Sequence, residues 1–461
     1  MRNKFTILCT SIFLLHNTFI DAQCFKKVST VWDTNIALSE DGTIWEWGSN
    51  NSGQLGLGVS NFQDRNTPFQ LTTSNDWKNV ISYYRTTMAQ KNDGTLWAWG
   101  SGSNGIFGNG SSGITNYIYV PTQVNTVPYD KIFKGFETSF AIKSDGTLWG
   151  WGYNSDGQVG VGSSPFNVLV PTQVGADTNW QHISGSLYHT VAIKTDGTLW
   201  SWGANGGGTL GNGTTISTSL PVQIGTGNTW KDISSSSHTL ALKTDGTLWG
   251  WGGNSYGQVG DGTTVDKIIP TQIGTDNDWR QARTSNESSF AIKNDGSLWA
   301  WGRNEGRLGD GTMQQKLVPT RVGNSYEWQD IECGGSHCIA RKQDNSIWTW
   351  GYNNRGQLGN GTFSNNFIPT MIKGPCSLLG TETAITSFQH LKIFPNPVSE
   401  YLNFSKEIKN IKIYDINGIL VKDVQNINNN KINLSSLDTG VYVIEALTSD
   451  EKIFKEKFIK R

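Results

Sequence analysis

Three histidines, His189, His238 and His337, each stand seven residues before an aspartate: Asp196, Asp245 and Asp344. Equivalent imidazoles could hold a metal ion. At the same offset before Asp41, Asp93, Asp145 and Asp295, however, stand Thr34, Thr86, Thr138 and Ser288. A polar group at a strand end accounts for all seven positions, so neither a metal nor a cofactor is expected. The aspartates could suggest calcium, but Asp-Gly is the ordinary signal of a tight hairpin turn. The Gly-rich loops, such as Gly157-Gln-Val-Gly160 and Gly257-Gln-Val-Gly260, lack the Lys and Ser/Thr of a phosphate cradle and lead into no helix. No nucleophile with a base and no carboxylate pair stands out, so the chain reads as a binder and not an enzyme. The binding candidates are Trp32, Tyr83, Tyr84, Arg85, Phe136, Glu137, Tyr188, Asn286 and Glu287, from irregular segments that precede the turns. Aromatics and Arg are the preferred anchors of recognition surfaces. The alternative for each is packing between neighbouring units.

A repeat must position these segments. Asp-Gly-Thr-Ile-Trp-Glu-Trp-Gly at Asp41 recurs from Asp93, Asp145, Asp196, Asp245, Asp295 and, in altered form, Asp344, at spacings of 52, 52, 51, 49, 50 and 49 residues. In the fifth copy Thr239–Thr244 alternates apolar and polar, Asp245-Gly246 turns, and Thr247–Trp251 returns with both tryptophans on one face. The residue between the tryptophans is mostly small, which lets a neighbouring sheet approach. A third short strand is expected to open at a proline, as at Pro171 and Pro270, and a fourth to begin at Phe25, Trp77, Tyr129, Trp180, Trp230, Trp279 or Trp328. Of the 20 tryptophans, Trp32 alone lies outside this pattern. Four strands per unit of about fifty residues, seven times over, predict an all-β, seven-bladed β-propeller.

The string Asp-Gly-Thr-Leu-Trp-Gly-Trp-Gly followed by Asn-x-x-Gly-Gln-Leu-Gly resembles the regulator of chromosome condensation repeat over roughly residues 25–373. The resemblance implies the same seven-bladed ring, and a propeller over 24–376 is expected. Cys24 and Cys376 flank that ring and would be neighbours on closure, so a Cys24–Cys376 disulfide is expected, with Cys333–Cys338 as a second, local bridge.

The ends read differently. Arg2 and Lys4 precede a mostly apolar Phe5–Ile20 stretch and Asp21-Ala22-Gln23, which predicts a signal peptide over 1–23 and no membrane span. Residues 377–390 read as a linker. Residues 391–461 lose Trp and Gly, gain Lys, Ile and Asn, and predict a small C-terminal β-sandwich. That segment is similar to the type A sorting domain of type IX secretion at Pro395-Asn396-Pro397, Tyr414-Asp415 with Asn417-Gly418, Gly440-Val441-Tyr442, and a basic end that includes Lys460. The resemblance implies export through the type IX machinery, usual removal of the domain, and often attachment to surface polysaccharide.

The formal net charge of −1 supplies no basic field for nucleic acid. The expected protein is therefore a monomer, secreted or held at the outer cell surface, that recognises a protein or glycan with one propeller face. Guanine nucleotide exchange, the founding family activity, is a second reading that needs a cytosolic or nuclear GTPase. A polysaccharide-active enzyme is a third and needs clustered carboxylates or bases.

Overall fold

The computed structural model describes residues 25–113, 116–372, 393–394, 397–405, 407–415, 420–425, 427, 430–449 and 453–461. The expected signal peptide, the 377–390 linker, the Cys24–Cys376 pair, Pro395, Asn396, Asn417 and Gly418 lie outside these residues.

The Asp-Gly-Thr-x-Trp string is a chain of hydrogen bonds before it is a fold. In the fifth unit the Thr247 amide and hydroxyl donate to Asp245 Oδ1 at 3.0 and 2.7 Å, and Trp249 Nε1 donates to Thr247 Oγ1 at 2.9 Å. Gly246 takes φ +82°, and any Cβ there would lie 2.0 Å from the Asn277 carbonyl oxygen. The turn joins His238–Lys243 to Leu248–Gly252; Trp230–Ser235 pairs on one side and Lys267–Gln272 on the other. Seven such four-stranded antiparallel sheets follow one another in chain order, each made from consecutive strands.

The first strand of every blade touches the first strand of the next, and Trp328–Cys333 of the seventh blade touches Phe25–Val31 of the first. These seven strands therefore ring the axis. The core lies between blades. Val191, Ile193 and Leu199 of the fourth blade pack on Trp230, Ile233 and Trp251 of the fifth, and Ile339 and Ile347 of the seventh pack on Phe25 and Trp47 of the first. Among the described residues the propeller is all β and closed on itself, with every blade built from its own consecutive strands.

Two local expectations change. Proline does not open the outer strand. Pro270 lies inside Lys267–Gln272, where the ladder shifts between Gly250 and Gly252, so the bulge absorbs the missing N–H on an edge strand. The small residue between paired tryptophans is covered by its own blade: a Cβ on Gly150 would meet Val159 Cγ1 at 2.9 Å, and Val159 comes from the loop of the same unit.

By its internal contacts the chain divides into Met1–Leu379 and Gly380–Arg461. The second unit pairs Ile393–Phe394, Tyr401–Phe404 and Lys431–Asn433 in one sheet. Its other sheet holds Leu420–Gln425, Ile408–Asp415, Gly440–Thr448 and Ile453–Lys460. Leu402, Ile411, Ile432, Ile444 and Phe458 share one core, which makes a small sandwich. Tyr442 is buried in it, stacks on Phe458 at 5.6 Å, and donates to the Asp438 carbonyl at 3.0 Å. Gly440 pairs with the buried Lys460, and Pro397 is exposed next to Val398, whose amide donates to the Ile459 carbonyl. Asp415 ends its strand opposite Tyr442.

Candidate recognition face

Each axial strand passes to its blade's second strand through a short turn, and these turns gather on one side of the ring. In the first blade the turn is Trp32-Asp33, between the paired residues Val31 and Thr34. Trp32 adopts φ +44°, a left-handed conformation rare for a bulky side chain. Its ring lies 5.3 Å from Tyr84 and 6.0 Å from Phe136, and Tyr84 and Phe136 stack at 5.1 Å. The Arg85 guanidinium sits 4.8 Å from the Tyr84 ring centre. Three successive blades thus build one aromatic cluster with a cation on it. The buried Trp32 Nε1 has no hydrogen-bond partner among the described residues.

Tyr83 does not join this surface. It is 1% exposed, packs among Ile81, Met88 and Ile132, and its hydroxyl donates to the Phe133 carbonyl at 3.4 Å. Neighbours in an extended segment point opposite ways, so Tyr84 turns outward and Tyr83 inward. Glu137, next in the chain to Phe136, accepts from Asn104 Nδ2 at 2.9 Å. Burial raises its carboxyl above the ordinary range, against the pull of that bond and of Arg85.

Beside the cluster, a cavity of about 530 Å³ opens along the axis. Trp32 and Phe136 form part of its wall, as do Tyr188, Asn286 and Glu287. Tyr188 is 50% exposed, and Glu287 pairs with Arg303 at 2.7 Å. A run of four serines, Ser234 to Ser237, supplies another wall.

The charged residues along the axis were not anticipated. Arg283 pairs with Asp232 and Glu332, each at 3.0 Å, and Lys134 reaches Glu332 at 3.7 Å and the Thr30 carbonyl at 2.9 Å. Burial alone would raise the Glu332 carboxyl, but Lys134 and Arg283 hold it below the usual range. Burial lowers Lys134. A signal was present. Counting from the aromatic at the start of each axial strand, or, for Tyr129, two residues before Lys131–Lys134, the third residue on is buried and apolar: Val28, Val80, Ile132, Ile183, Ile233, Ala282, Ile331. The second and fourth residues on, such as Asp232 with Ser234 or Asp330 with Glu332, share the opposite side.

The three histidines do not converge on a point. Each bonds to the following blade: His189 Nε2 to Ser235 Oγ at 2.7 Å, His238 Nε2 to Ser289 Oγ at 2.6 Å, and His337 Nε2 to Asn35 Oδ1 at 2.7 Å. Where the position holds Thr34 or Ser288, the hydroxyl donates instead to its own blade, to the Ser49 and Arg303 carbonyls at 3.2 and 2.6 Å. Cys333 and Cys338 face each other across paired strands with Cα atoms 4.1 Å apart, and their sulfurs are bonded. Cys333 lines the cavity.

Comparison with protein families matches residues 41–84, 145–193, 196–242, 295–341 and 344–381 to the regulator of chromosome condensation (RCC1) repeat. A second description of that repeat matches 25–54, 131–158, 180–209, 234–258 and 328–357. The chain belongs to the RCC1 repeat family. Residues 392–461 of this RCC1-repeat protein match the secretion system C-terminal sorting domain, which marks it for type IX export to the cell surface or beyond. Among curated proteins it is 30% identical over 209 residues to the ultraviolet-B receptor UVR8 of Arabidopsis thaliana, covering 43% of this chain and 46% of that one. It is 31% identical over 194 residues to the human probable E3 ubiquitin-protein ligase HERC6, covering 40% and 19%. The chain spans less than half the length of these relatives. Among solved structures, human WBSCR16 superposes with a TM-score of 0.64 at 21% identity, covering 72% of this chain and 95% of that one. Prp20p of Saccharomyces cerevisiae gives 0.63 at 20% identity, covering 81% and 90%. These likenesses concern the fold. Among the described residues no helix is long and apolar enough to cross a membrane.

Proposed function

We propose that this exported propeller is a non-catalytic recognition module whose loop face around Trp32, Tyr84, Arg85 and Phe136 contacts a protein or glycan outside the cell. The observation that carries the reading is Trp32 itself. A bulky residue held at positive φ costs on the order of 1–3 kcal/mol. Trp32 is the single tryptophan outside the repeat, so the blade architecture does not require it. Strain held at one non-repeating aromatic, at the mouth of a cavity and beside an exposed Arg, fits a surface kept for a partner.

Prp20p, which shares the propeller, has binding properties toward Gsp1p and histones. Export separates this chain from a cytosolic GTPase, so nucleotide exchange is not favoured. A polysaccharide-active enzyme is not favoured either, because Asp232, Glu287 and Glu332 are all committed to arginines.

The test uses the full exported chain in pull-downs from culture supernatant and on glycan arrays. Replacing Trp32, Tyr84 and Arg85 together by Ala should weaken binding by at least about a hundredfold while leaving the circular dichroism unchanged. Binding at full strength in the triple variant overturns the face assignment.

A further inference from the structure

The axial cavity has a chemistry of its own, distinct from that of the aromatic cluster at its edge. Four charged side chains line it, and each is already answered. Arg283 is held by Asp232 and Glu332 at 3.0 Å, Lys134 by Glu332 at 3.7 Å, and Glu287 by Arg303 at 2.7 Å. A ligand carrying net charge would have to break one of these pairs, and leaving a partly buried charge unpaired is expensive. The uncharged part of the wall is rich in hydroxyls. Ser236 and Ser237 donate to the Asn286 carbonyl, and Ser186 and Ser235 bond to the two ring nitrogens of His189 at 2.8 and 2.7 Å. Ser236 and Ser237 have given their protons to a carbonyl and keep lone pairs to offer, so this part of the wall mainly accepts. The Asn286 carboxamide has no partner among the described residues and offers both donors and an acceptor. Across from the serines stand Trp32 and Phe136, with the half-exposed ring of Tyr188 also in the wall.

An uncharged molecule with many O–H donors on its edges and one apolar C–H face matches all three walls. We propose that the axial cavity binds a neutral sugar ring at the end of a glycan chain, with its C–H face toward Trp32 and Phe136 and its hydroxyls toward the serine wall and Asn286. The proposal rests on the recognition reading above and names the ligand of one part of that face. The volume suits a compact ligand that buries most of its surface.

The experiment places the full exported chain on an array of oligosaccharides ending in neutral hexose, N-acetylhexosamine or uronic acid. Calorimetric titration of the strongest neutral binder follows. Neutral ends should be retained over uronate ends by at least about tenfold, since a carboxylate meets Glu287 and Glu332 with no free cation among the described residues of the wall to answer it. Asn286→Ala and Tyr188→Ala should each weaken the titrated sugar by about tenfold. Both residues are loop positions, so folding is checked by unchanged circular dichroism. Preference for uronate ends, or affinity untouched by both substitutions, overturns the sugar site. So does the absence of any glycan binding up to about millimolar concentration. The doubly substituted Tyr84→Ala, Arg85→Ala chain separates the two readings, because neither residue lines the cavity. If a protein partner is lost on that substitution while no glycan binds, the face stands and the sugar site falls. If neither protein nor glycan depends on either set, both fall.

Discussion

His189, His238 and His337 are enclosed, and enclosure removes the water that stabilises an imidazolium. Burial alone brings His189 to about 4. Burial, helped by the nearby His189, brings His238 to about 3, and burial, slightly opposed by the Trp32 backbone, brings His337 to about 3. In the unfolded chain each returns to about 6.5. The unfolded state therefore binds more protons between these limits, and stability present above pH 6.5 is lost as pH falls toward 4 and below. At pH 5 the loss is roughly 2 kcal/mol per histidine. The buried Glu46 carboxyl, pushed up chiefly by burial, contributes with the opposite sign, so the histidine contribution is read as a difference between variants. Urea unfolding at pH 7.5 and pH 5 should show a smaller pH effect for His238→Asn than for the parent chain. An equal effect would mean that His238 is not held neutral. The offset of these histidines from the turn aspartates was legible in the sequence, but their partners were not, because the bonds of His189 and His238 reach about fifty residues ahead into the next blade. Tyr83 and Tyr84 show the same limit. Their types suggested recognition, yet only the course of the backbone decides which one faces out.

Blades are fastened to each other by a rule that repeats. The second tryptophan of each pair donates its indole N–H to the preceding blade. Trp151 bonds to the Ile106 carbonyl at 2.9 Å, Trp202 to Gln158 at 2.9 Å, Trp251 to Thr209 at 3.1 Å and Trp301 to Gln258 at 2.9 Å. Trp99 is the exception and bonds to the Glu46 carboxyl at 3.2 Å. For the indole to reach that loop, nothing may stand in its path. Gly260 lies there with φ +91°, and a Cβ on it would come 2.5 Å from Trp301 Nε1. Gly260→Ala should therefore cost roughly 2–4 kcal/mol, combining left-handed strain with overpacking. Gly225, at φ +63° with nothing within 4 Å of a Cβ, is the matched control and should cost only about 1 kcal/mol. Urea midpoints of the two variants decide the matter; similar values would show that the tryptophan contact is not what fixes glycine there. The Gly-x-x-Gly loops were plain in the sequence as turns. Their second purpose, clearing a path for the next blade's indole, was not, because periodicity within one unit carries no information about the neighbouring unit. The misplaced prolines have the same origin, since an outer-strand bulge is invisible until the paired strand is known.

The ring as a whole must bring together two ends separated by nearly the entire propeller, and among the described residues it does so with each blade keeping its own four strands. The seventh and first blades meet through side chains and through loop backbone. Trp47 Nε1 and Asn35 Nδ2 donate to the Gln357 carbonyl at 3.1 and 2.8 Å, Gln357 Nε2 donates to Asp33 at 2.8 Å, and Asn66 exchanges backbone and side-chain bonds with Gly361. The seven-blade count was legible because every unit carries the same turn, and the closing contacts obey the same rule between blades, with Trp47 and Gln357 standing where Trp202 and Gln158 stand in the fourth and third blades. Because the first and seventh blades carry the chain's two ends of the ring, their seam is where the ring can open, and the entropy released on opening grows with the length of chain set free. Cys24 immediately precedes the first axial strand, and Cys376 follows Ile372 by four residues. A bond between them would span that seam and remove loop entropy of up to about 5 kcal/mol from the unfolded chain. In an oxidising compartment the expected outcome is a Cys24–Cys376 peptide pair in the unreduced digest. Cys24→Ser with Cys376→Ser should lower the urea midpoint while leaving the native spectrum intact, because the side chains at the seam still close the ring. A free Cys24 thiol in the exported protein, or a midpoint unmoved by the double substitution, would leave the seam held by Gln357 and its neighbours alone. Gln357→Ala would then become the substitution that opens the propeller.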